Sequence, residues 1–158
     1  MKQISLNFKK IHFFAKLIFT AYIIFLLALT LYNRPISPLP LSTYINLFAE
    51  FIPFKTFIEY FNLVNDGVLS IWQAIYQIMG NLLLFFPMGI LFPMVFTKLK
   101  SAKKCLPIIV CIILILETFQ LLIKIGSFDI TDVILNTLGA IFGYLLYRFI
   151  THKIFEKD

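Results

Sequence analysis

The sequence predicts an all-α integral membrane protein, a single domain of four transmembrane helices over residues 1–158. Of its 158 residues, 60% are hydrophobic and 14% are charged, whereas soluble globular chains are about 45–50% apolar and about 25% charged. The apolar residues gather in four runs that can each cross a bilayer as a helix. The basic residues cluster at the ends of those runs. The same composition excludes a disordered chain, which needs low hydrophobicity and high charge.

The first two predicted spans cover about residues 11–32 and 72–96. The first span follows a basic N-terminal segment, but no small-residue cleavage motif comes after it, so we predict a retained signal anchor. The second span contains Pro87 and Pro93. Because proline leaves a backbone carbonyl without its helical partner, the helix is expected to bend, which is one way to open a pocket beside Asn81. Ordinary irregularity of packing explains the prolines equally well.

The third and fourth predicted spans cover about residues 105–123 and 132–150. A single ionisable residue, Glu117, lies inside the third span. The fourth span has no charge between Asp132 and Arg148, and it is long enough if the arginine extends its charged end to the membrane surface.

The distribution of the fourteen Lys and Arg residues predicts the orientation, because cytoplasmic flanks of membrane helices carry an excess of positive charge. If the spans alternate in direction, only Arg34, Lys55 and Lys124 fall on one side. We therefore predict that both termini are cytoplasmic (N-in and C-in), with two outer loops. The basic residues on the predicted cytoplasmic side are Lys2, Lys9, Lys10, Lys16, Lys98, Lys100, Lys103, Lys104, Arg148, Lys153 and Lys157.

The long outer loop between helices 1 and 2, residues 33–71, has a composition unlike that of a flexible linker. It contains four prolines and a dense run of aromatic residues between positions 44 and 61. Two interpretations stay open at this point. The loop lies at the level of the lipid headgroups as an interfacial segment, or it packs as a cap over the outer ends of the helices.

The two cysteines, Cys105 and Cys111, both lie in the third apolar run. Their spacing does not match a CxxC or a His/Cys metal site, and we expect both to be buried as small hydrophobic side chains. The sequence contains no P-loop, H-E-x-x-H or G-x-S-x-G motif. We therefore expect no metal, no cofactor and no nucleic-acid partner, and the sequence favours a protein that is not an enzyme.

Glu117 is a candidate functional residue, because a charge inside a membrane span is costly unless it is paired or neutralised. Counting back from Ile123, it lies about 9 Å below the outer end of its helix at 1.5 Å per residue. Gln120 follows at i+3 on the same helix face, so we expect both side chains to point into the bundle. A glutamine would serve a purely structural role at lower cost, which favours a functional role for Glu117.

The fourth span carries Asp132, Asn136, Gly139 and Gly143 at spacings of 4, 3 and 4, which places them on one stripe of the helix. The glycines form a G-x-x-x-G pair that permits close approach of another helix. Ala140 lies off this stripe and is expected to point away from the contact.

The remaining candidates are Asp129 and Asn81. Asp129 and Asp132 together are typical of the start of a helix with N-terminal carboxylates. Asn81 lies about 13 Å below Trp72 by the helical rise, beneath the other polar residues. Helix caps and interhelical hydrogen bonds are the alternative roles for these side chains. The sequence predicts an outward-facing polar cluster made of Glu117, Gln120, Asp129, Asp132, Asn136 and Asn81.

These residues resemble the VanZ-like family. The matching segments are ETFQ at 117–120, GSFDITDVILNTLGAIFG at 126–143, GNLLLFFPMG at 80–89 and IPFKT at 52–56. They occur in order within residues 50–147, which we take as the VanZ-like region. One departure is Gly126, where many members have an arginine, although Lys124 lies close by.

The resemblance implies a multi-pass protein of the bacterial cell membrane with a role in resistance to glycopeptide antibiotics of the teicoplanin type, acting at the outer leaflet. The partners it implies are membrane lipid and either the glycopeptide or a lipid-linked cell-wall precursor, and it leaves a homo-oligomer open. The alternative is a membrane-embedded hydrolase or transferase acting on a lipid-linked substrate, with Glu117 and Asp129 or Asp132 as acid and base. A transporter is disfavoured, since four helices show no inverted repeat.

Overall fold

The computed structural model describes residues 2–31 and 34–155, with side chains described over 10–31 and 34–153. Over these residues the chain is mainly helical. The elements are α1 (Lys2–Leu31), α2 (Leu41–Phe48), β1 (Ala49–Glu50), α3 (Lys55–Asn65), α4 (Ile71–Leu84), α5 (Phe86–Val95), a 3₁₀ turn (Thr97–Leu99), α6 (Ala102–Leu122), β2 (Phe128–Asp129) and α7 (Ile130–Phe155).

Four stretches of these helices are long and apolar enough to cross a membrane: Lys10–Leu31, Ile71–Val95, Ala102–Leu122 and Ile130–Lys153. The predicted all-α membrane fold with four spans is therefore confirmed, and each described end lies within three residues of the predicted one. Residue 32, the predicted end of the first span, lies outside the described residues.

The second span consists of two helices, α4 and α5, which meet at Phe85. Pro87 lies in the first turn of α5, where it lacks the N–H that would continue the helical hydrogen bonds. The hydroxyl of Tyr22 donates to the carbonyl of Leu84 next to the break, at 2.8 Å. A side chain of α1 thus contacts a carbonyl at the interruption, as membrane helices require where their backbone bonds are broken.

The centre of the bundle is the contact of α7 with α4 and α5, and glycines make it close. A Cβ built on Gly139 would lie 1.9 Å from the carbonyl oxygen of Leu82, and one on Gly143 would lie 2.0 Å from that of Phe86. The close approach predicted for the G-x-x-x-G pair is present. The expectation for Ala140 is wrong: it is 1% exposed, because Gly89 of α5 brings a third backbone contact against it.

Contacts between sequence-distant residues define the two ends of the bundle. At one end, the ring Nδ1 of His12 lies 3.1 Å from the carbonyl of Met94, and the hydroxyl of Tyr144 donates to the carbonyl of Lys100 at 3.0 Å. At the other end, the N–H of Ser37 donates to the carbonyl of Lys124 at 3.0 Å. The spans therefore alternate in direction as the charge count assumed. Which end faces the cytoplasm stays a prediction, and one of its residues, Lys157, lies outside the described residues.

The first outer loop packs over the second one. Strands β1 and β2 pair in parallel, with Ala49 opposite Phe128 and Glu50 opposite Asp129. The hydroxyl of Tyr44 donates to the carbonyl of Gly126 at 3.1 Å. The cap interpretation therefore describes this part of the loop. The sequence did not predict the strand pair.

Helix α3 differs from the rest of the loop, because none of its residues is buried. Phe51, Ile52 and Phe54 before the helix and Ile58 and Phe61 within it are each at least half exposed. This apolar surface is the feature that the interfacial interpretation predicted. The interfacial interpretation of α3 therefore stays a prediction.

The prediction for the cysteines is half wrong. Cys105 is buried in the core, but Cys111 is exposed on the outer surface of α6. In a membrane protein an apolar side chain gains nothing by leaving lipid, because acyl chains are as apolar as the protein core. Hydrophobicity alone therefore could not place Cys111 inside the bundle.

Candidate functional site

A cavity of about 300 Å³ lies between α1, α4, α6 and α7, beside the break at Phe85. Of the two interpretations of the prolines, the cavity agrees with a pocket beside Asn81. Its wall is unusually polar for the interior of an apolar bundle. The polar residues that line it are Arg34, Gln77, Asn81, Glu117, Gln120 and Asp132, with Thr30 and Ser127 beside them.

Asp132 and Asn81 form one side of the cavity. The side-chain amide Nδ2 of Asn81 donates a hydrogen bond to Oδ1 of Asp132. Asp132 is the third residue of α7, whereas Asn81 lies about 15 Å from the start of α4 at 1.5 Å per residue. Helix α4 therefore extends farther beyond the core at this end than α7 does. Asn81 lies level with Asp132, and the prediction that it lies beneath the other polar residues is wrong.

Glu117 and Asn136 form the deeper part of the cluster. The amide Nδ2 of Asn136 donates to Oε1 of Glu117 at 3.3 Å. Asn136 is fully buried, and its Oδ1 has no hydrogen-bond partner among the described residues. Glu117 has no ion-pair partner within that part of the chain. Its carboxyl group therefore accepts a hydrogen bond from one amide and lines the cavity.

Asp129 has a different role from the other predicted residues, since it does not line the cavity. It is buried directly before α7, where its Oδ1 accepts from the N–H of Thr131 at 2.7 Å. Its Oδ2 accepts from the hydroxyl of Thr56 in α3. Both oxygens are therefore used, one to cap α7 and one to hold the outer loop. The predicted helix start at this position is present.

The cap around Asp129 also holds an unusual backbone conformation. Phe54, the residue before α3, has φ of 64°, in the left-handed region that costs a residue with a side chain about 1–2 kcal/mol. Its N–H donates to the hydroxyl oxygen of Thr131 at 3.1 Å. The IPFKT segment is thus fixed to the start of α7 by two hydrogen bonds, through Phe54 and Thr56.

Gln120 lines the cavity and packs against the loop after α6. A Cβ built on Gly126 would lie 2.9 Å from Oε1 of Gln120. A residue with a side chain at position 126 would therefore displace the glutamine. Gly126, which departs from the family pattern, therefore leaves room for Gln120. Lys124 does not line the cavity, and its Nζ donates to the carbonyl of Leu39 at 3.0 Å.

Arg34 is a cavity residue that sequence reasoning missed as a site residue. It was counted only as an outer-loop charge, yet it lines the same cavity as Glu117 and Asp132. Within the described residues its guanidinium has no hydrogen bond or ion pair. A usable signal was present, since arginine directly after a span is uncommon on the side that lacks positive charge.

Tyr60 and Gln77 were also missed, and they lie at the rim of the site. Burial raises the pKa of Tyr60, and the nearby carboxyl groups of Asp132 and Asp129 add to this effect. A hydrogen bond with Gln77 partly opposes it. These contacts place α3 against the outer edge of the polar cluster. The sequence carried no local signal for them, because the residues are far apart along the chain.

An ion pair fixes the start of α3 outside the membrane-spanning segments. Nζ of Lys55 binds Oε2 of Glu50 and lies 3.7 Å from Oε1 of Glu59. The hydrogen bond from Lys55 lowers the pKa of the Glu50 carboxyl, and the same bond raises the pKa of Lys55. The pair therefore ties α3 to β1 through exposed charges.

Comparison with known proteins identifies the family of the chain. The family model described as VanZ/LLP1 matches residues 19–151. A curated relative, Protein VanZ of Enterococcus faecium, is 35% identical over 71 residues, which is 45% of this chain. The chain covers 44% of the length of that relative. No solved structure matches the chain. Because the family match extends over most of its length, the chain belongs to the VanZ/LLP1 family and is a multi-pass protein of the cell membrane.

Proposed function

We propose that this protein protects the cell envelope against glycopeptide antibiotics of the teicoplanin type, without catalysing a reaction. The membership of the VanZ/LLP1 family and the similarity to Protein VanZ support a role of this kind. The observation that carries the proposal is the polar cavity, in which Glu117 and Asp132 line one space inside an otherwise apolar bundle.

The depth of Glu117 supports a functional use of the cavity. It lies about 7.5 Å inside the end of α6 at 1.5 Å per residue, where an ionisable group is costly to retain. Its contact with Asn136 would be made equally well by a glutamine. A carboxyl group is thus maintained where packing does not need one, and this favours binding of a polar group.

The position of the cavity supports action at the outer leaflet. The cavity lies at the end of the bundle that carries the two loops with few basic residues, near Arg34 and Ser127. The positive-inside rule assigns that end to the outside. Glycopeptides and lipid-linked wall precursors would meet the protein there.

An enzymatic function is the second candidate, because Glu117 and Asp132 share the cavity as an acid and base would. The cap role of Asp129 counts against a wider set of catalytic carboxyls, since both of its oxygens accept hydrogen bonds. Turnover of a lipid-linked substrate by the purified protein would support this candidate. Resistance without turnover would support the first.

The proposal is tested by the teicoplanin susceptibility of cells with and without the gene. Deletion should lower the inhibitory concentration, and the intact gene should restore it. Glu117→Gln should fail to restore it at equal membrane abundance, if the ionised carboxyl is required. Glu59→Gln is the matched control, because Glu59 is an exposed carboxyl on α3 that faces Lys55. Unchanged susceptibility on deletion would overturn the proposal.

A further inference from the structure

We propose that the cavity binds a small group in which a primary ammonium lies close to an anion, as in a zwitterionic lipid headgroup or a free amino acid. The inference rests on the proposed function and names the class of ligand for its site. It is carried by the acceptor oxygens at the inner wall, by Arg34 at the mouth, and by the volume of the cavity.

Two carboxyl groups of the cavity wall each have one oxygen without a hydrogen bond among the described residues. The donors Nδ2 of Asn81 and Nδ2 of Asn136 are used by one oxygen each of Asp132 and Glu117. Within the described residues, the second carboxyl oxygens of Asp132 and Glu117 accept no hydrogen bond. Oδ1 of Asn136 is also without a partner, but Asn136 is fully buried and does not line the cavity.

These acceptors lie near one another. Asn136 bonds to Glu117, and it follows Asp132 by four residues on the same face of α7. The unpaired oxygens of Asp132 and Glu117 can each accept a hydrogen bond from a ligand in the cavity. A primary ammonium supplies three N–H donors and the charge opposite to the carboxylates.

The mouth of the cavity offers the opposite chemistry. Arg34 is exposed, follows α1, and lines the same space as the two carboxyl groups. Its guanidinium is unpaired over the described part of the chain. Guanidinium groups bind carboxylate and phosphate through two parallel hydrogen bonds. A ligand that places an anion at Arg34 and an ammonium at Glu117 would match both ends.

The volume limits the ligand to a small group. A volume of about 300 Å³ lies at the lower end of the range for small-molecule sites. A headgroup or an amino acid fits this space. A glycopeptide, which is a peptide carrying sugars, does not. Protection would therefore act through a component of the membrane or wall, and not by enclosing the drug.

The direct test is binding of O-phosphoethanolamine to the purified full-length chain in non-ionic detergent, measured by calorimetry and by thermal shift. Phosphocholine is the matched probe, because its quaternary ammonium has no N–H to donate. We expect saturable binding of phosphoethanolamine, and binding of phosphocholine at least about tenfold weaker, since hydrogen bonds to charged groups are lost. Inorganic phosphate alone should bind more weakly still.

Two variants assign the two ends of the ligand. Glu117→Gln should weaken phosphoethanolamine binding about tenfold or more. Arg34→Gln should abolish the preference for phosphoethanolamine over ethanolamine. Glu59→Gln, outside the cavity, should change neither. Binding that survives Glu117→Gln unchanged would overturn the inference, as would equal binding of phosphocholine.

Two further probes separate the sources of the ligand. Retention of phosphatidylethanolamine over phosphatidylcholine, measured by native mass spectrometry after extraction from vesicles of both lipids, would indicate a headgroup. Binding of glycine without such retention would indicate a free amino acid. If none of these probes binds while deletion of the gene still sensitises cells to teicoplanin, this inference fails and the proposed function stands. If the probes bind but deletion of the gene does not change teicoplanin susceptibility, the proposed function fails and the binding of this class of ligand stands.

Discussion

Replacing Gly143 with alanine tests the closest backbone contact of the bundle. The new Cβ would lie 2.0 Å from the carbonyl oxygen of Phe86, whereas ordinary van der Waals contacts of a Cβ begin at 3.4 Å. The obstacle is backbone, so no side chain can rotate away. Helices α5 and α7 must then separate by about 1 Å or more, and overpacking of this kind costs about 1–3 kcal/mol.

We expect Gly143→Ala to lie near the upper limit, because it is main chain that must move. At about 2–4 °C per kcal/mol for a chain of this length, the midpoint of thermal unfolding in detergent should fall by about 6–12 °C. Gly80→Ala is the matched control, since Gly80 is also helical and a Cβ added there would have nothing within 4 Å. It should be neutral or stabilising by up to about 1 kcal/mol, as alanine is the better helix former. Equal midpoints for the two variants would refute the packing argument.

Three other predictions follow from the loops and their charges. With Cys111 replaced by serine, cysteines introduced at Asn46 and Ser127 should react with an impermeant thiol reagent in intact cells, and a cysteine introduced at Ser101 should not. Labelling at position 101 would contradict the N-in, C-in orientation. Thr56→Val removes the donor to the buried Asp129 and should lower the stability of the loop by about 1–3 kcal/mol, measured as faster hydrogen exchange in α3. Exchange equal to that of the intact protein would show that the bond does not hold the loop. Because Lys55 lowers the pKa of Glu50, their pair contributes above the usual carboxyl pKa and is lost as the pH falls through the lower folded value. The protection factors of α3, corrected for the intrinsic pH dependence of amide exchange, should then fall on acidification, and Glu50→Gln should remove that fall.

The sequence predicted those features that depend on local pattern. The spans follow from runs of apolar residues whose length the bilayer sets. The start of α7 after Asp129 and the close approach at Gly139 follow from residue types at helical spacing. The convergence of Glu117 and Asn136 followed from the cost of polar groups in lipid, which leaves the bundle interior as their place.

Other features depend on contacts between distant segments, which local pattern does not contain. Tyr60 reaches the site only because the first outer loop folds back over it. The pairing of β1 with β2 involves two residues on each strand, too few to leave a periodic signal. Cys111 was misplaced because lipid and protein core are equally apolar solvents for a thiol.

The vertical position of Asn81 shows a related limit. Counting residues gives distance along one helix, but it does not give the offset between two helices. Helix α4 extends farther out than α7, so a residue about 15 Å along α4 meets the first turn of α7 at Asp132. The packing of the glycines Gly139 and Gly143 against α4 and α5 sets this offset.

The measurement that tests the account most directly is the teicoplanin inhibitory concentration of cells carrying Glu117→Ala, compared with cells carrying the intact gene at equal membrane abundance. If the cavity is the functional site, Glu117→Ala should abolish resistance while the amount of protein in the membrane stays near normal. Resistance that persists in this variant, or that disappears only because the protein is lost from the membrane, would contradict the central claim.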